Sequence, residues 1–228
     1  MNRLVSFFTQ AIIIGMPLLY GSVGEMIIEK SGNLNLGIPG IMYVGGISGI
    51  VGGYFFETYG DTSNTFLCIL IPFLCSIVGS VLMSLIYSFL TVTLRANQNV
   101  TGLVLTTFGI GIGSFIGGSL SSILGTGTTV SLNIIGSCFK KTLPFADKLG
   151  LFGKAFFSYG FMTYLAIIIA LVAGYVLRKT RVGLNLKAVG ESPATADAAG
   201  ISVIKYKYGA TCIGGAIAGL GGLYYVME

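Results

Sequence analysis

The sequence of 228 residues contains no histidine and no tryptophan, and only 9% of its residues are charged. Without histidine the chain lacks the commonest metal ligand and the usual general base near neutral pH. Its four cysteines form no CxxC or zinc-like pattern, so we expect neither a metal site nor a disulfide framework. A soluble domain carries roughly a quarter charged residues, so this composition excludes an ordinary water-exposed globule.

Apolar residues are abundant instead: they make up 54% of the chain, and its mean hydropathy is +0.87. A bilayer core needs about 20 apolar residues per helix. The runs are continuously apolar rather than alternating, which favours helices over a transmembrane β-barrel. We predict one all-α polytopic transmembrane helix bundle over residues 1–228, with spans at 5–24, 38–56, 65–93, 100–123, 158–177 and 208–227.

Glycine, with 35 residues, recurs at four-residue intervals inside these spans. Small residues on one stripe of a helix allow close backbone contact in lipid, where no hydrophobic force drives helices together. We therefore expect tight helix packing along three stripes: Gly45/Gly49/Gly53, Gly109/Gly113/Gly117 and Gly215/Gly219.

Catalytic signatures are missing from the sequence. It contains no phosphate-binding loop ending in Lys-Ser/Thr, and we find no nucleophile–base constellation. We predict that the chain is not an enzyme, has no catalytic residues, and needs no cofactor or metal. The net charge of +5 is better explained by basic cytoplasmic loops than by nucleic-acid binding.

Three polar islands interrupt the apolar sequence, at 25–39, 95–101 and 178–207. The third carries six Lys and Arg residues against Glu191 and Asp197, which predicts a cytoplasmic loop. A further stretch, 125–157, is mixed in character and predicts a long loop with a short surface helix.

The third island encodes a short helix. Ser192 is a good N-cap, Pro193 suits the first helical position, and Gly200 followed by Ile201 predicts a left-handed stop. Helices shorter than about 12 residues are marginal in water, so this helix needs a surface to lie on. That surface is either its own bundle or another protein.

The segment 190–201 (GESPATADAAGI), preceded by Arg181-x-Gly183-Leu184, resembles the cytoplasmic coupling loop of ABC-transporter permeases. The similarity is to the branched-chain amino acid/ribose/nucleoside importer family. Two further segments resemble nucleoside and simple-sugar permeases: 24–42 (GEMIIEKSGNLNLGIPGIM) and 95–102 (RANQNVTG). Family members continue for several helices beyond the segment that ends at Glu228, so by this resemblance the chain looks C-terminally truncated.

The resemblance implies a permease subunit of an ATP-driven importer for a nucleoside or simple sugar, in the prokaryotic plasma membrane. Its implied partners are a cytoplasmic ABC ATPase, a second permease subunit (in a hetero- or homodimer) and an extracellular or lipoprotein solute-binding protein. The implied ATPase-coupling residues are Gly190, Glu191, Ser192, Pro193, Ala194, Thr195, Ala196 and Gly200.

The first two islands supply candidates for the translocation path. Pro39 and Gly40 lie just inside the second span, which suggests a helix that ends, unwinds and restarts, and discontinuous helices often line transport paths. Asn33 and Asn35 could face solute or form an ordinary turn. The amides of Asn97, Gln98 and Asn99 could bind a hydroxyl-rich solute or belong to a solvated loop, the interpretation we slightly favour.

If the coupling loop is cytoplasmic, counting the spans back from it assigns every other segment to one side of the membrane. This count places Arg95 and the 25–36 island inside, and Asp61 and the N-terminus outside. Arg3 and the basic 125–157 loop oppose this assignment. The rival function is an ion-coupled secondary transporter or channel, which commonly carries ionisable residues inside its spans. No predicted span has a clear one.

Overall fold

A computed structural model describes residues 2–60, 64–123, 132–140 and 159–228. Within these ranges all regular structure is helical. The helices are α1 (Asn2–Lys30), α2 (Ile38–Tyr59), α3 (Thr65–Ser88), α4 (Gln98–Ile123), α5 (Asn133–Phe139), α6 (Phe161–Lys179), α7 (Arg181–Glu191), α8 (Pro193–Ala198) and α9 (Val203–Met227). A π-helical turn, Phe89–Thr93, extends α3.

Six helices are long and apolar enough to cross a membrane, which confirms the predicted fold class. They are Phe7–Lys30, Ile38–Tyr59, Thr65–Thr93, Gln98–Ser119, Phe161–Lys179 and Val203–Met227. Two predicted boundaries were wrong. The first helix does not stop at residue 24 but continues to Lys30, and the last begins at Val203 rather than at residue 208. Glu25 therefore lies within a spanning helix, contrary to the expectation that no span carries a clear ionisable residue.

The helix α9 forms the centre of the bundle and packs against α1, α2 and α3. Glycines make these contacts close, as the stripes predicted. A Cβ built on Gly45 of α2 would lie 2.6 Å from the Cα of Gly219 in α9. A Cβ on Gly214 of α9 would lie 2.5 Å from the carbonyl oxygen of Gly24 in α1. The backbones therefore touch at positions where a side chain has no room.

A row of serines on α3 faces the same helix. Ser76, Ser80, Ser84 and Ser88 are all fully buried and lie four residues apart. The Ser76 hydroxyl donates to the Gly219 carbonyl at 3.0 Å, while Ser80 and Ser84 donate to carbonyls four residues earlier in α3. The hydroxyls of Ser76, Ser80 and Ser84 are thus hydrogen-bonded and still let α3 approach α9, whereas the Ser88 hydroxyl has no partner among the described residues.

The short helix α5 confirms one part of the prediction for 125–157. Ile135 and Phe139 are fully buried and belong to the same apolar cluster as Leu223 and Tyr224 of α9. The helix is therefore packed into the bundle rather than lying on its surface. The rest of 125–157, outside 132–140, lies outside the described residues.

The three polar islands meet at one end of the bundle. Gln98 contacts the chain at Gly32 and Leu34, and Gly190 packs on Lys30 and Gly32. Parity placed all three islands on the cytoplasmic side, and their contacts confirm that they share an end. The physical reason is that α1, α3, α6 and α9 all begin or end there.

Candidate functional site

The turn between α1 and α2, residues Ser31–Gly37, alternates between buried and exposed positions. Ser31, Asn33, Asn35 and Gly37 are buried, while the residues between them are exposed. Gly32 has φ +80°, a left-handed conformation that glycine adopts without steric cost. The chain turns at Ser31-Gly32, and the alternation that follows places Asn33 and Asn35 on the buried side.

Hydrogen bonds from three helices hold the backbone of this turn. Glu25 of α1 accepts from the Asn35 backbone N–H through Oε1 at 2.9 Å. Tyr87 of α3 donates its hydroxyl to the Leu34 carbonyl at 2.7 Å. Thr106 of α4 donates to the Leu36 carbonyl at 2.8 Å. The turn is therefore tied to its surroundings on every side, and its position depends on all three helices.

The two inward asparagines keep unused hydrogen-bonding capacity. Asn33 is 1% exposed and Asn35 is 2% exposed. Asn35 caps the turn through Oδ1, which accepts from the Gly37 backbone N–H at 2.9 Å. The Nδ2 groups of both residues, together with Glu25 Oε2, have no hydrogen-bond partner in the protein. Buried polar atoms are seldom unpaired, so this group of donors and acceptors makes the turn a candidate functional site.

The second island contributes one residue to this site. Gln98, at the first turn of α4, accepts from the Leu34 backbone N–H at 2.8 Å through Oε1. Its Nε2 lies 3.5 Å from Asn33 Oδ1 and 3.4 Å from the Gly32 carbonyl. Gln98 therefore joins the site formed by Glu25, Asn33 and Asn35, which we call the turn site.

The neighbours of Gln98 are arranged differently. Asn97 is exposed, and its Oδ1 accepts from the backbone N–H groups of Asn99 and Val100 at 3.0 and 3.2 Å. Asn97 is thus the N-cap of α4. Asn99 is also exposed. Of the three amides named from the sequence, the structure brings only Gln98 to the turn site.

The third island forms two helices where the sequence predicted one. The unpredicted helix α7 begins at Thr180, whose hydroxyl oxygen accepts from the Gly183 backbone N–H at 3.2 Å. It buries Gly183, Leu186 and Val189 on one face. The spacing of these apolar positions and the threonine cap could have identified the helix. Its two glycines and one asparagine concealed it, because each lowers helix propensity.

The predicted helix α8 is present as Pro193–Ala198. Pro193 occupies its first turn, Gly200 has φ +80°, and the Ile201 N–H donates to the Ala196 carbonyl at 2.9 Å, which is the predicted stop. Ser192 occupies the predicted N-cap position, but its hydroxyl pairs with the Thr195 hydroxyl at 2.7 Å and makes no capping hydrogen bond to the backbone. A local hydroxyl pair competes with the backbone N–H groups for Ser192.

The surface of α8 is divided between its own bundle and solvent. Ala196 is 3% exposed, so it anchors the helix to the chain. The other coupling candidates in this helix, Pro193, Ala194 and Thr195, are exposed, as are Glu191, Ser192 and Gly200. Packing of Ala196 supports the first interpretation, that the helix lies on its own bundle, while docking on another protein stays a prediction.

The end of α7 contacts the backbone next to the turn site. A Cβ built on Gly190 would lie 2.5 Å from the Lys30 carbonyl oxygen and 3.1 Å from the Gly32 nitrogen. The last turn of α7 therefore rests on the backbone that leads into Asn33. The sequence alone could not have placed these two segments together, because they are separated by most of the chain.

The known proteins that this chain resembles include several permeases of transport systems. Residues 7–228 match the model of a family described as the permease component of branched-chain amino acid transport systems. A nucleoside ABC transporter permease protein of Lactococcus lactis is 32% identical over 98% of this chain. A guanosine ABC transporter permease protein of Bacillus subtilis is 31% identical over 94%. An ABC transporter permease of Haloferax volcanii, provisionally named for glucose, is 33% identical over 91%.

The chain spans 68%, 65% and 58% of the lengths of these three relatives, in the same order. No solved structure gives a significant match.

Proposed function

This chain belongs to the family of permease components of branched-chain amino acid transport systems, and we propose that it serves in an ATP-driven importer for a nucleoside or a simple sugar. It is a multi-pass protein of the prokaryotic plasma membrane. The names of its relatives in Lactococcus and Bacillus support a nucleoside, and that of the Haloferax relative supports a sugar. Both kinds of solute carry several hydroxyl groups.

The observation that carries this proposal is the contact between Gly190 and the turn that holds Asn33 and Asn35. An importer must link an event at its cytoplasmic surface to a change along its solute path. In this chain the exposed helix α8 and the buried turn site are separated only by the end of α7. A partner that moves α8 would therefore move the backbone at Gly32.

We propose that α8 docks on a separate ATPase subunit. Its exposed residues Pro193, Ala194 and Thr195 form the contact, and Ala196 holds the helix to the bundle. ATP hydrolysis belongs to that partner, and this chain supplies the membrane path. A second permease subunit and an external solute-binding protein complete the proposed assembly.

We propose further that Asn33, Asn35 and Gln98 contact solute when the turn opens. Their amides donate and accept hydrogen bonds, as hydroxyl-bearing solutes require. In the conformation seen here both asparagines are buried, so the path is closed at their level. Asn97 and Asn99 remain candidates at the rim of the same end, where both are exposed.

The test has two readouts. ATPase association is measured on the complex purified from native membranes, and solute uptake is measured after that complex is placed in proteoliposomes. The variant is Ala194→Lys with Thr195→Lys, which adds bulk and charge to the exposed face of α8. We expect the ATPase to dissociate and ATP-dependent uptake to cease. The control is Asn64→Lys, an exposed position at the opposite end of the bundle. If the α8 variant retains its ATPase, the coupling assignment is wrong.

A further inference from the structure

An apolar groove opens between α6 and α9 at the end of the bundle that carries the polar islands. Its volume is about 700 Å³, which is within the roughly 300–1,000 Å³ typical of ligand pockets. Ile27 of α1 forms its floor, and α7 closes its polar end with Val182, Gly183 and Leu186. Apart from Tyr206 of α9, the walls are aliphatic: Ile168, Val172 and Val176 from α6, and Ala210, Ile213 and Ile217 from α9.

The groove is one leaflet deep. It runs along α9 from Lys205 to Ile217, about 18 Å at the 1.5 Å rise of a helix. Half of a bilayer core of about 30 Å is about 15 Å. An object that fills the groove along its length therefore reaches from the membrane surface to the bilayer midplane.

The surface end of the groove is cationic. Lys205 lines it directly, on the same stripe of α9 as Gly209, Ile213 and Ile217. Lys179 is exposed and follows Val172 and Val176 on the same face of α6. The only charged side chain that lines the groove, within the described part of the chain, is a lysine.

We propose that this groove binds an anionic phospholipid of the cytoplasmic leaflet. One acyl chain lies between α6 and α9, and the phosphate is held by Lys205 and Lys179. An acyl chain matches the aliphatic walls and the depth, and a headgroup at the membrane surface meets the two lysines. Basic pockets between spanning helices on the cytoplasmic side suit anionic headgroups. The excess of Lys and Arg in the 178–207 loop, which lies at this end of the groove, assigns the groove to the cytoplasmic leaflet.

The chain offers a variant that fills the groove without disturbing the helices. A Cβ on Gly209 meets no atom within 4 Å, so the side chain of Gly209→Leu projects into open space in the groove. Gly174 of α6 also has nothing within 4 Å and does not line the groove, which makes Gly174→Leu the matched control. Lys205→Gln and Lys179→Gln test the contribution of the positive charges. Their control is Arg178→Gln, which removes a charge from another face of α6.

Native mass spectrometry of the delipidated complex, titrated with phosphatidylglycerol, phosphatidylcholine or inorganic phosphate, tests the proposal. We expect phosphatidylglycerol to bind preferentially, and each lysine variant to weaken it by about fivefold, the equivalent of about 1 kcal/mol per basic residue. Gly209→Leu should abolish this binding, while both controls retain it.

Three results would overturn the proposal. The first is equal binding of the two lipids, and the second is competition by inorganic phosphate alone without an acyl chain. The third is a Gly209→Leu variant that keeps its lipid but loses a protein subunit, since the groove would then be a subunit interface. The lysine variants leave the apolar walls intact, so they keep the test decisive if Gly209→Leu fails to fold.

Discussion

Gly190 lies against Gly32: a Cβ built on Gly32 would be 3.0 Å from the Gly190 Cα. Gly32 has φ +80° and opens the turn that buries Asn33 and Asn35, and Gly190 is in the last turn of α7, just before α8. This contact joins the end of α7 to the backbone that leads into the turn site. Backbone contacts transmit displacement more directly than flexible side chains do, because no rotamer change can absorb the movement.

The first prediction concerns that contact. Gly190→Ala places a methyl group 2.5 Å from the Lys30 carbonyl oxygen, and neither backbone can yield without moving a helix. Overpacking of this kind costs about 1–3 kcal/mol, so the variant should unfold at a lower temperature and transport less solute per ATP hydrolysed. Thermal unfolding in detergent and the ratio of uptake to hydrolysis measure the two effects.

The control for this variant is Gly174→Ala, because a Cβ there meets nothing within 4 Å. Alanine favours a helix over glycine by up to about 1 kcal/mol, so the control should be unchanged or slightly more stable. If the two variants unfold at the same temperature and show the same ratio of uptake to hydrolysis, the contact of Gly190 with the turn contributes to neither stability nor coupling.

The second prediction concerns Glu25. Glu25→Ala removes the acceptor for the Asn35 backbone N–H and leaves that donor buried without a partner. The expected loss of stability is about 1–3 kcal/mol. Glu25→Gln keeps a carbonyl oxygen for the same donor and should restore most of the loss. Equal destabilisation by Ala and Gln in thermal unfolding would show that charge, not hydrogen bonding, holds the turn.

The third prediction separates capping from solute binding at Asn97. As the N-cap of α4, Asn97 can be replaced by Asp with little effect, while Asn97→Ala should cost about 1 kcal/mol. Solute uptake should be unchanged in Asn97→Asp, and in Asn97→Ala it should fall only as far as the loss of stability reduces the amount of folded protein. An Asn97→Asp protein that folds normally but transports poorly would show that the Asn97 amide contacts solute in addition to capping α4.

The fourth prediction concerns the packing of α2 on α9. Gly45→Ala directs a methyl group to 2.6 Å from the Gly219 Cα, so the helices must separate. We expect a loss of about 1–3 kcal/mol in unfolding free energy. Gly111→Ala in α4, where a Cβ meets nothing within 4 Å, is the control and should be neutral. A neutral Gly45→Ala would mean that α2 and α9 are not close-packed in the membrane.

The sequence predicted those features that depend on local patterns. Hydropathy located the six spans, glycine spacing predicted close helix packing such as that of Gly45 on Gly219, and Pro193 with Gly200 bounded α8. The boundary near Glu25 was wrong, because hydropathy falls there while the helix continues. One carboxyl oxygen of Glu25 accepts from the Asn35 backbone N–H, a contact that no local pattern encodes.

The candidate site was predicted less completely. Asn33, Asn35 and Gln98 were named, but nothing in the sequence distinguished Gln98, which joins the turn site, from Asn97, which caps α4. That difference arises from the direction in which each side chain leaves the first turn of α4. The roles of Glu25 and Gly190 depend on contacts between distant segments, so they emerged only from the fold.

ATP dependence of uptake by the complex in proteoliposomes tests the central claim most directly. We predict that labelled nucleoside or simple sugar enters only when ATP is supplied on the cytoplasmic side. We also predict that Ala194→Lys with Thr195→Lys abolishes this uptake without lowering the unfolding temperature. Uptake that persists without ATP and collapses when the proton gradient is dissipated would contradict the account.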